Sequence, residues 1–292
     1  MSKKTAIITF LANQKEHQNR LDKILRERYP TWGRQAISKL LNNRQVRVNG
    51  KTVWLGSWKI SVGDMIQVRN PPKDKPSGPN RFDQRWLIAD EGDLIVVSKP
   101  AGLLSQATRA GGKDNLLSLA QERFGKEVRL FHRLDRDTSG LTLLTRPGPV
   151  NAYLDMAFKK RQVIKEYVAV VSDPGDLAVS GVLRSYLAQH PHRRDMMQVV
   201  ERGGKYAQTR YEIEGEVPLG VQFRLWPETG RTHQLRVQLA HLGVPIVGDR
   251  LYGGRQNPRL LLHAERLRLP KTEDFPMREW FSELDWDSLG DN

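Results

Sequence analysis

Phe131-His132-Arg133-Leu134-Asp135-Arg136-Asp137-Thr138-Ser139-Gly140 is the densest polar stretch of the chain, and apolar Leu141-Thr142-Leu143-Leu144 follows it directly. Two carboxylates, two arginines and a histidine therefore lead into a buried strand. A solvated turn, with Asp137, Thr138 and Ser139 bonding the local backbone, would have the same composition. A second cluster, Gly230-Arg231-Thr232-His233-Gln234-Leu235-Arg236-Val237, tips the balance towards a cleft. Two polar clusters with apolar flanks can meet in one fold and set a carboxylate beside a guanidinium.

Outward from these clusters the elements are mixed. Asp93 to Pro100 has the character of a buried strand ended by proline, and Glu166 to Val171 of another. Leu116 to Phe124 and Tyr153 to Phe158 have helical spacing. Leu235, Val237 and Leu239 alternate as in a half-buried strand, and Leu260-Leu261-Leu262-His263 is a short apolar run. The last 22 residues, 271–292, hold seven acids and two bases with Trp280, Phe281 and Trp286, which reads as a loosely packed acidic tail.

The N-terminal part differs. Leu21, Ile24 and Leu25, and then Ile37, Leu40 and Leu41, recur at helical spacing. Val46 to Val53 alternates around Asn49-Gly50, a hairpin signal, and Met65 to Val68 suggests one more strand. Residues 71–84 open with a Pro/Gly/Ser/Lys run suited to a linker. The charge is +14 overall, and residues 1–80 carry 16 basic against 5 acidic residues. A basic module on a nearly neutral remainder points to a polyanion partner. Arg20, Lys23, Arg34, Lys39, Arg44 and Arg47 are its candidate phosphate contacts.

Composition excludes several classes. With 38% hydrophobic residues the chain can build a core, and without cysteine it has no disulfide, thiolate metal site or cysteine nucleophile. No stretch approaches the ~18 consecutive apolar residues of a membrane span. The apolar part of Ala6 to Ala12 runs straight into Asn13-Gln14-Lys15-Glu16, so a short strand is expected there in place of a secretory signal. The expected setting is soluble and cytoplasmic.

The motifs resemble those of pseudouridine synthases of the large-subunit rRNA branch. His132-Arg133-Leu134-Asp135 with Thr138-Ser139-Gly140 is similar to that branch's signature. Asp93 to Gly102 resembles its first motif, Lys165-Glu166-Tyr167-Val168-Ala169 its tyrosine motif, and Gly230 to Tyr252 its third. Residues 18–69 resemble the RNA-binding module shared with ribosomal protein S-four. Two positions depart from the pattern. Asn43-Arg44 stands where the module usually has a glycine, so Asn43 is expected to take the left-handed turn conformation. Gln238 replaces a usual histidine and is expected to bear on substrate fit.

The resemblance implies an α+β architecture: a mixed, mainly antiparallel central sheet with flanking helices over residues 85–270, after a small α+β module over 1–70. It implies that uridine is detached from its ribose, turned, and rejoined through carbon 5. It also implies no cofactor, no metal and an RNA partner, with rRNA favoured over tRNA. By the same carry-over Asp135 is the catalytic carboxylate, through attack on the sugar, addition to the ring or removal of a ribose proton. Tyr167 lies against the base, and Arg236 pairs with Asp135 to keep it ionised. Arg133 and Arg231 contact RNA, and His233 is a supporting core histidine. A monomer is expected for want of an obvious interface stripe. Two other classes compete. Asp135-Arg136-Asp137-Thr138 formally matches the start of magnesium-dependent aspartyl-phosphate phosphatases, although no downstream acidic pair is visible to hold the ion. A non-catalytic RNA chaperone explains the charge but gives neither polar cluster a purpose.

Overall fold

The computed structural model describes residues 6–29, 32–71, 81–107 and 114–284. The chain divides into two compact units, residues 1–77 and 78–292. Residues 72–80 of the expected linker and 285–292 of the expected acidic tail lie outside the described residues.

The first unit runs β1 (Ile7–Leu11), α1 (Leu21–Arg28), α2 (Arg34–Asn42), β2 (Val46–Val48), β3 (Lys51–Thr52) and β4 (Met65–Arg69). Its antiparallel sheet has the order β1-β4-β2-β3. Leu21, Ile24 and Leu25 of α1 and Ile37, Leu40 and Leu41 of α2 pack on Val46, Val48, Ile66 and Val68. Asn49 and Gly50 both have positive φ, 49° and 78°, as the expected hairpin turn requires. One turn differs from expectation. Asn43 stays at φ −80°, and Arg44 takes the left-handed conformation at φ 56°. The amide of Gln45 donates to the Leu40 carbonyl and that of Arg44 to Leu41, which closes α2 one residue later than the sequence suggests.

The second unit begins with β5 (Leu87–Glu91), β6 (Leu94–Lys99), α3 (Leu116–Phe124), β7 (Arg129–Leu130), β8 (Ser139–Thr145), α4 (Val150–Lys159) and β9 (Ile164–Val171). It continues through β10 (Ser180–Gln189), β11 (Met197–Val200), β12 (Lys205–Val217), β13 (Gly220–Pro227), α5 (Gln234–His241), β14 (Leu262–Leu269) and β15 (Arg278–Phe281). The strands form one sheet in the order β11-β10-β12-β13-β9-β14-β8-β6-β5, with β15 beside β14 and β7 beside β8. Among the described residues every strand pairing is antiparallel except β14 with β8. The sheet is therefore mixed and mainly antiparallel, as expected.

Every residue of β8 is buried because both faces of the sheet are covered there. Ile95, Val97 and Leu144 meet α3, while Leu94, Val96, Leu141 and Leu143 meet α4. The parallel pairing of β8 with β14 runs through Gly140, at φ 112°, against Ala264. A Cβ at Gly140 would collide with the Ala264 backbone, so only glycine lets β8 enter the sheet at the end of the polar stretch.

Two expectations are corrected. Leu235, Val237 and Leu239 lie on helix α5, not on a strand. Gln234 to Leu239 are all buried, so the usual contrast between a wet and a dry helix face is missing. Residues 278–281 of the C-terminal stretch form β15, with Trp280 buried against β14, so this part is core and not a loose tail.

Candidate active site

The loop between β7 and β8 is held from several sides. Lys99 is fully buried, and its Nζ donates to the carbonyls of Pro100, Leu103 and Arg136 at 2.9–3.0 Å. Burial drags Lys99 down to about 7, against the pull of the charges on Asp137 and Asp135. Ser105 Oγ donates to the Leu134 carbonyl and accepts the Leu134 amide, and the Gly102 amide donates to the Arg136 carbonyl. Residues 134 and 136 are thus pinned on both sides of Asp135.

Asp135 itself makes no hydrogen bond among the described residues. Its nearest basic neighbour is His233, with Nε2 3.9 Å from Oδ2, and burial favours the neutral form of that imidazole. It lines two adjoining clefts, of about 740 and 460 Å3. Asp137, by contrast, is tied bidentately to Arg136 at 2.8 and 3.0 Å. Burial raises Asp137, but the Arg136 guanidinium outweighs it and holds the carboxyl below its usual range. The phosphatase-like pair of free aspartates is therefore not assembled.

Tyr167 and Lys165, from β9, line the smaller cleft with Asp135 and Arg133. Burial, helped by the charge of Asp135, raises the Tyr167 phenol far above its ordinary value. Burial also lowers Lys165, which has no ion-pair partner among the described residues. The sequence left Lys165 without a role, and its place in this cleft is a finding of the structure. Arg133 is exposed and unpaired among the described residues, whereas Arg231 donates to the Tyr206 carbonyl at 2.9 Å.

The expected Arg236–Asp135 pair is not formed. Arg236 is buried and donates bidentately to Asp249, with both contacts at 2.7 Å. It still feels the charge of Asp135, without bonding it. Asp249 also accepts the amides of Leu251 and Tyr252, so the pair folds the loop after Gly248 onto α5. The Tyr252 hydroxyl accepts the Met197 amide at 2.9 Å and lies 2.8 Å from His233 Nδ1. With the proton on His233 Nε2, facing Asp135, Nδ1 accepts from that hydroxyl. His233, at φ 55° where α5 begins, is thus part of the site and not simply a core histidine. Gln238 turns away from the cleft: it accepts from Thr209 and donates to Ser185, which stitches α5 to the sheet.

Two other histidines give the site an acid limit. The Leu143 amide donates to His132 Nε2 at 3.1 Å, which requires neutral imidazole. His263 Nε2–H donates to the Ser282 carbonyl at 2.6 Å, and its Nδ1 meets Ser139 Oγ, itself an acceptor from Arg259. Removal from water, with the charge of Lys165, lowers His132 to about 3. Removal from water lowers His263 to about 4, although the Ser282 bond opposes it. The unfolded chain therefore takes up protons below pH 6.5 that the folded chain refuses, so stability is complete above that pH and falls as pH drops towards 4. Urea midpoints between pH 7.5 and 4.5 should decline with a slope approaching two protons. A flat profile contradicts the neutral assignment.

In the first unit, Arg20, Lys23 and Arg26 line one cleft. Arg20 is bonded to Asp22. Lys39 lies exposed on α2, and Arg44 reaches Trp54. The backbone of Arg34 opens α2. Arg47 alternates with buried Val46 and Val48, so it lies on the sheet face opposite the helices, apart from the others.

Among the described residues no cluster of His, Cys, Asp or Glu could hold a metal, and no helix is long and apolar enough to cross a membrane. Residues 93–241 match the family model for RNA pseudouridylate synthase. The ribosomal large subunit pseudouridine synthase D of Yersinia pestis is 30% identical, over 92% of this chain and 89% of that protein. That of Haemophilus ducreyi is 31% identical, over 86% and 82%. The solved structure of human RNA pseudouridylate synthase domain containing 1 superposes with a TM-score of 0.60 at 26% identity, over 70% of this chain and 85% of that one. The fold and the cleft are those of an RNA-modifying isomerase. The chain belongs to the pseudouridine synthase family, and its activity is the conversion of uridine to pseudouridine in RNA.

Proposed function

We propose that the chain isomerises uridines of large-subunit rRNA, as a monomer in the cytoplasm and without metal or cofactor. The observation that carries the chemistry is Asp135, a carboxylate with rigid neighbours and no hydrogen-bond partner of its own among the described residues, open to two clefts. The support for the target is the match to relatives named for the large ribosomal subunit along most of their length.

The reaction breaks the bond from ribose carbon 1′ to N1, forms one to carbon 5, moves the carbon-5 proton off the base and leaves a proton on N1. It is redox-neutral and consumes no water. A stacked uridine cannot reach the cleft, so it is flipped out of the helix, with Arg133 taking the vacated gap or a flanking phosphate. Attack on the sugar, addition to the ring and removal of a ribose proton each use the ionised Asp135. Arg236, fixed by Asp249, supplies positive potential at the cleft wall, and Arg231 and Lys165 face the incoming phosphates. The basic residues of the first unit, Arg20, Lys23, Arg34, Lys39, Arg44 and Arg47, also anchor the RNA, with residues 1–70 as the RNA-binding module, 71–84 as linker and 85–270 as the catalytic domain.

Tyr167 stacks on the flipped base and handles its carbon-5 proton. A phenol whose pKa is raised stays protonated between turnovers, and its phenolate, once formed, is a stronger base than an exposed one. Tyr167→Phe keeps the ring and removes the hydroxyl. Turnover should fall by about a hundredfold or more with RNA affinity unchanged, and near-parental turnover would reduce Tyr167 to a stacking surface. For the target, a transcriptome-wide pseudouridine map with and without the gene should lose positions in large-subunit rRNA. Losses confined to tRNA would overturn that assignment.

A further inference from the structure

Three large apolar side chains stand exposed on one short loop of the first unit: Trp54 at 55%, Leu55 at 53% and Trp58 at 45%. The loop is rigidly seated. The Asp22 amide donates to the Gly56 carbonyl at 3.0 Å, the Leu21 amide to the Trp58 carbonyl at 2.8 Å, and the Trp58 amide to Leu55 at 3.1 Å. A Cβ at Gly56 would come within 2.9 Å of the Asp22 carboxylate, so the loop lies flush against the first turn of α1. Exposure here is therefore held in place by the fold.

The surroundings of Trp54 are those of a nucleotide site. A cleft of about 690 Å3 is lined by Trp54 with Lys23, Arg26, Ser38 and Asn42, and its carboxylate, Asp22, is taken up by the Arg20 guanidinium. The Arg44 guanidinium lies 5.6 Å from the Trp54 ring, carried there by the left-handed residue that closes α2. Arg26 and Arg44 have no acidic partner within 4 Å among the described residues, and Lys23 meets Glu27 only at 3.8 Å. An aromatic plane, an amide and unpaired cations together match a base with its phosphates. An apolar partner segment would leave those cations desolvated and unmatched.

We propose that Trp54 stacks on an unpaired nucleobase of the RNA, whose flanking phosphates lie on Lys23, Arg26 and Arg44. The inference rests on the reading that this unit binds RNA. Every base has a stacking face, but only an unpaired one can present it to a protein ring, so the site distinguishes bulged or single-stranded RNA from duplex more than it reads base identity.

The test uses the full chain and two RNA hairpins of equal length, one fully paired and one with a single bulged nucleotide, at fixed salt. The parent should bind the bulged hairpin more tightly. Trp54→Ala should weaken that binding by about five- to a hundredfold, leave the paired hairpin unchanged and remove the preference, while Trp54→Phe keeps most of it. Circular dichroism confirms folding. Lys23→Ala with Arg26→Ala should weaken both hairpins and flatten the salt dependence. If Trp54→Ala keeps the preference while the cation variants lose affinity, stacking is overturned and the RNA reading of the unit stands. If neither set changes binding, that reading fails too. If Trp54→Ala abolishes self-association of the chain and leaves RNA binding intact, the patch is a contact between copies and the proposal is wrong.

Discussion

Asp135→Asn should lower isomerisation by at least about a thousandfold while leaving the unfolding midpoint and RNA affinity near those of the parent. The substitution keeps shape and removes the ionised form. Asp135 makes no hydrogen bond among the described residues and touches His233 only at 3.9 Å, so the fold does not lean on it. Its neighbours, held by Lys99, Gly102 and Ser105, stay in place. Single-turnover rates and filter binding check the two halves separately. Activity within tenfold of the parent would remove Asp135 from the mechanism, and loss of RNA binding would make it a structural residue.

Breaking the Arg236–Asp249 pair should have the second large effect, on stability as well as on rate. Both partners are buried, at 4% and 0% side-chain exposure, and joined by two short bonds. Arg236→Met or Asp249→Leu alone strands a charge away from water, which costs about 3–5 kcal/mol. The double replacement removes both charges and should recover most of that loss in urea unfolding. It should not recover turnover, because the amides of Leu251 and Tyr252 lose Asp249 as acceptor and the Tyr252–His233 contact loses its support. Additive losses in the double variant would show that the two side chains act independently.

The legible parts of this chain were those where one face is wet and the other dry. The helices at Leu21 and Leu116, the Asn49-Gly50 hairpin and the strand before Pro100 all stand where their patterns placed them. Helix α5 did not show itself because its polar residues are inside: Gln234 bonds Thr229 and Thr209, Arg236 bonds Asp249, and Gln238 bonds Thr209 and Ser185. Polarity there marks buried partners and not solvent. Strand β15 was hidden by the acids around it, since four residues with Trp280 as the buried one make no visible period.

The site was legible as a set of residues but not as a set of pairs. Asp135, Tyr167 and Arg133 line one cleft, as their motifs suggested. Which carboxylate Arg236 meets is decided by the loop after Gly248, whose positive φ of 81° turns Asp249 back onto α5. No spacing rule reports that. The His233–Tyr252 contact likewise depends on the left-handed start of α5, and Lys165 carried no signal beyond its place two residues before Tyr167.

The most direct measurement of the whole account is tritium release from large-subunit rRNA carrying 5-tritiated uridine, prepared without this activity and mixed with equimolar parent or Asp135→Asn protein. Forming the carbon–carbon bond must expel the label, whereas binding or unfolding RNA leaves it in place. The account predicts release by the parent, limited to one or a few uridines per molecule, and none above background by Asp135→Asn. Equal release from both proteins, or none from the parent on fully accessible rRNA, would contradict it.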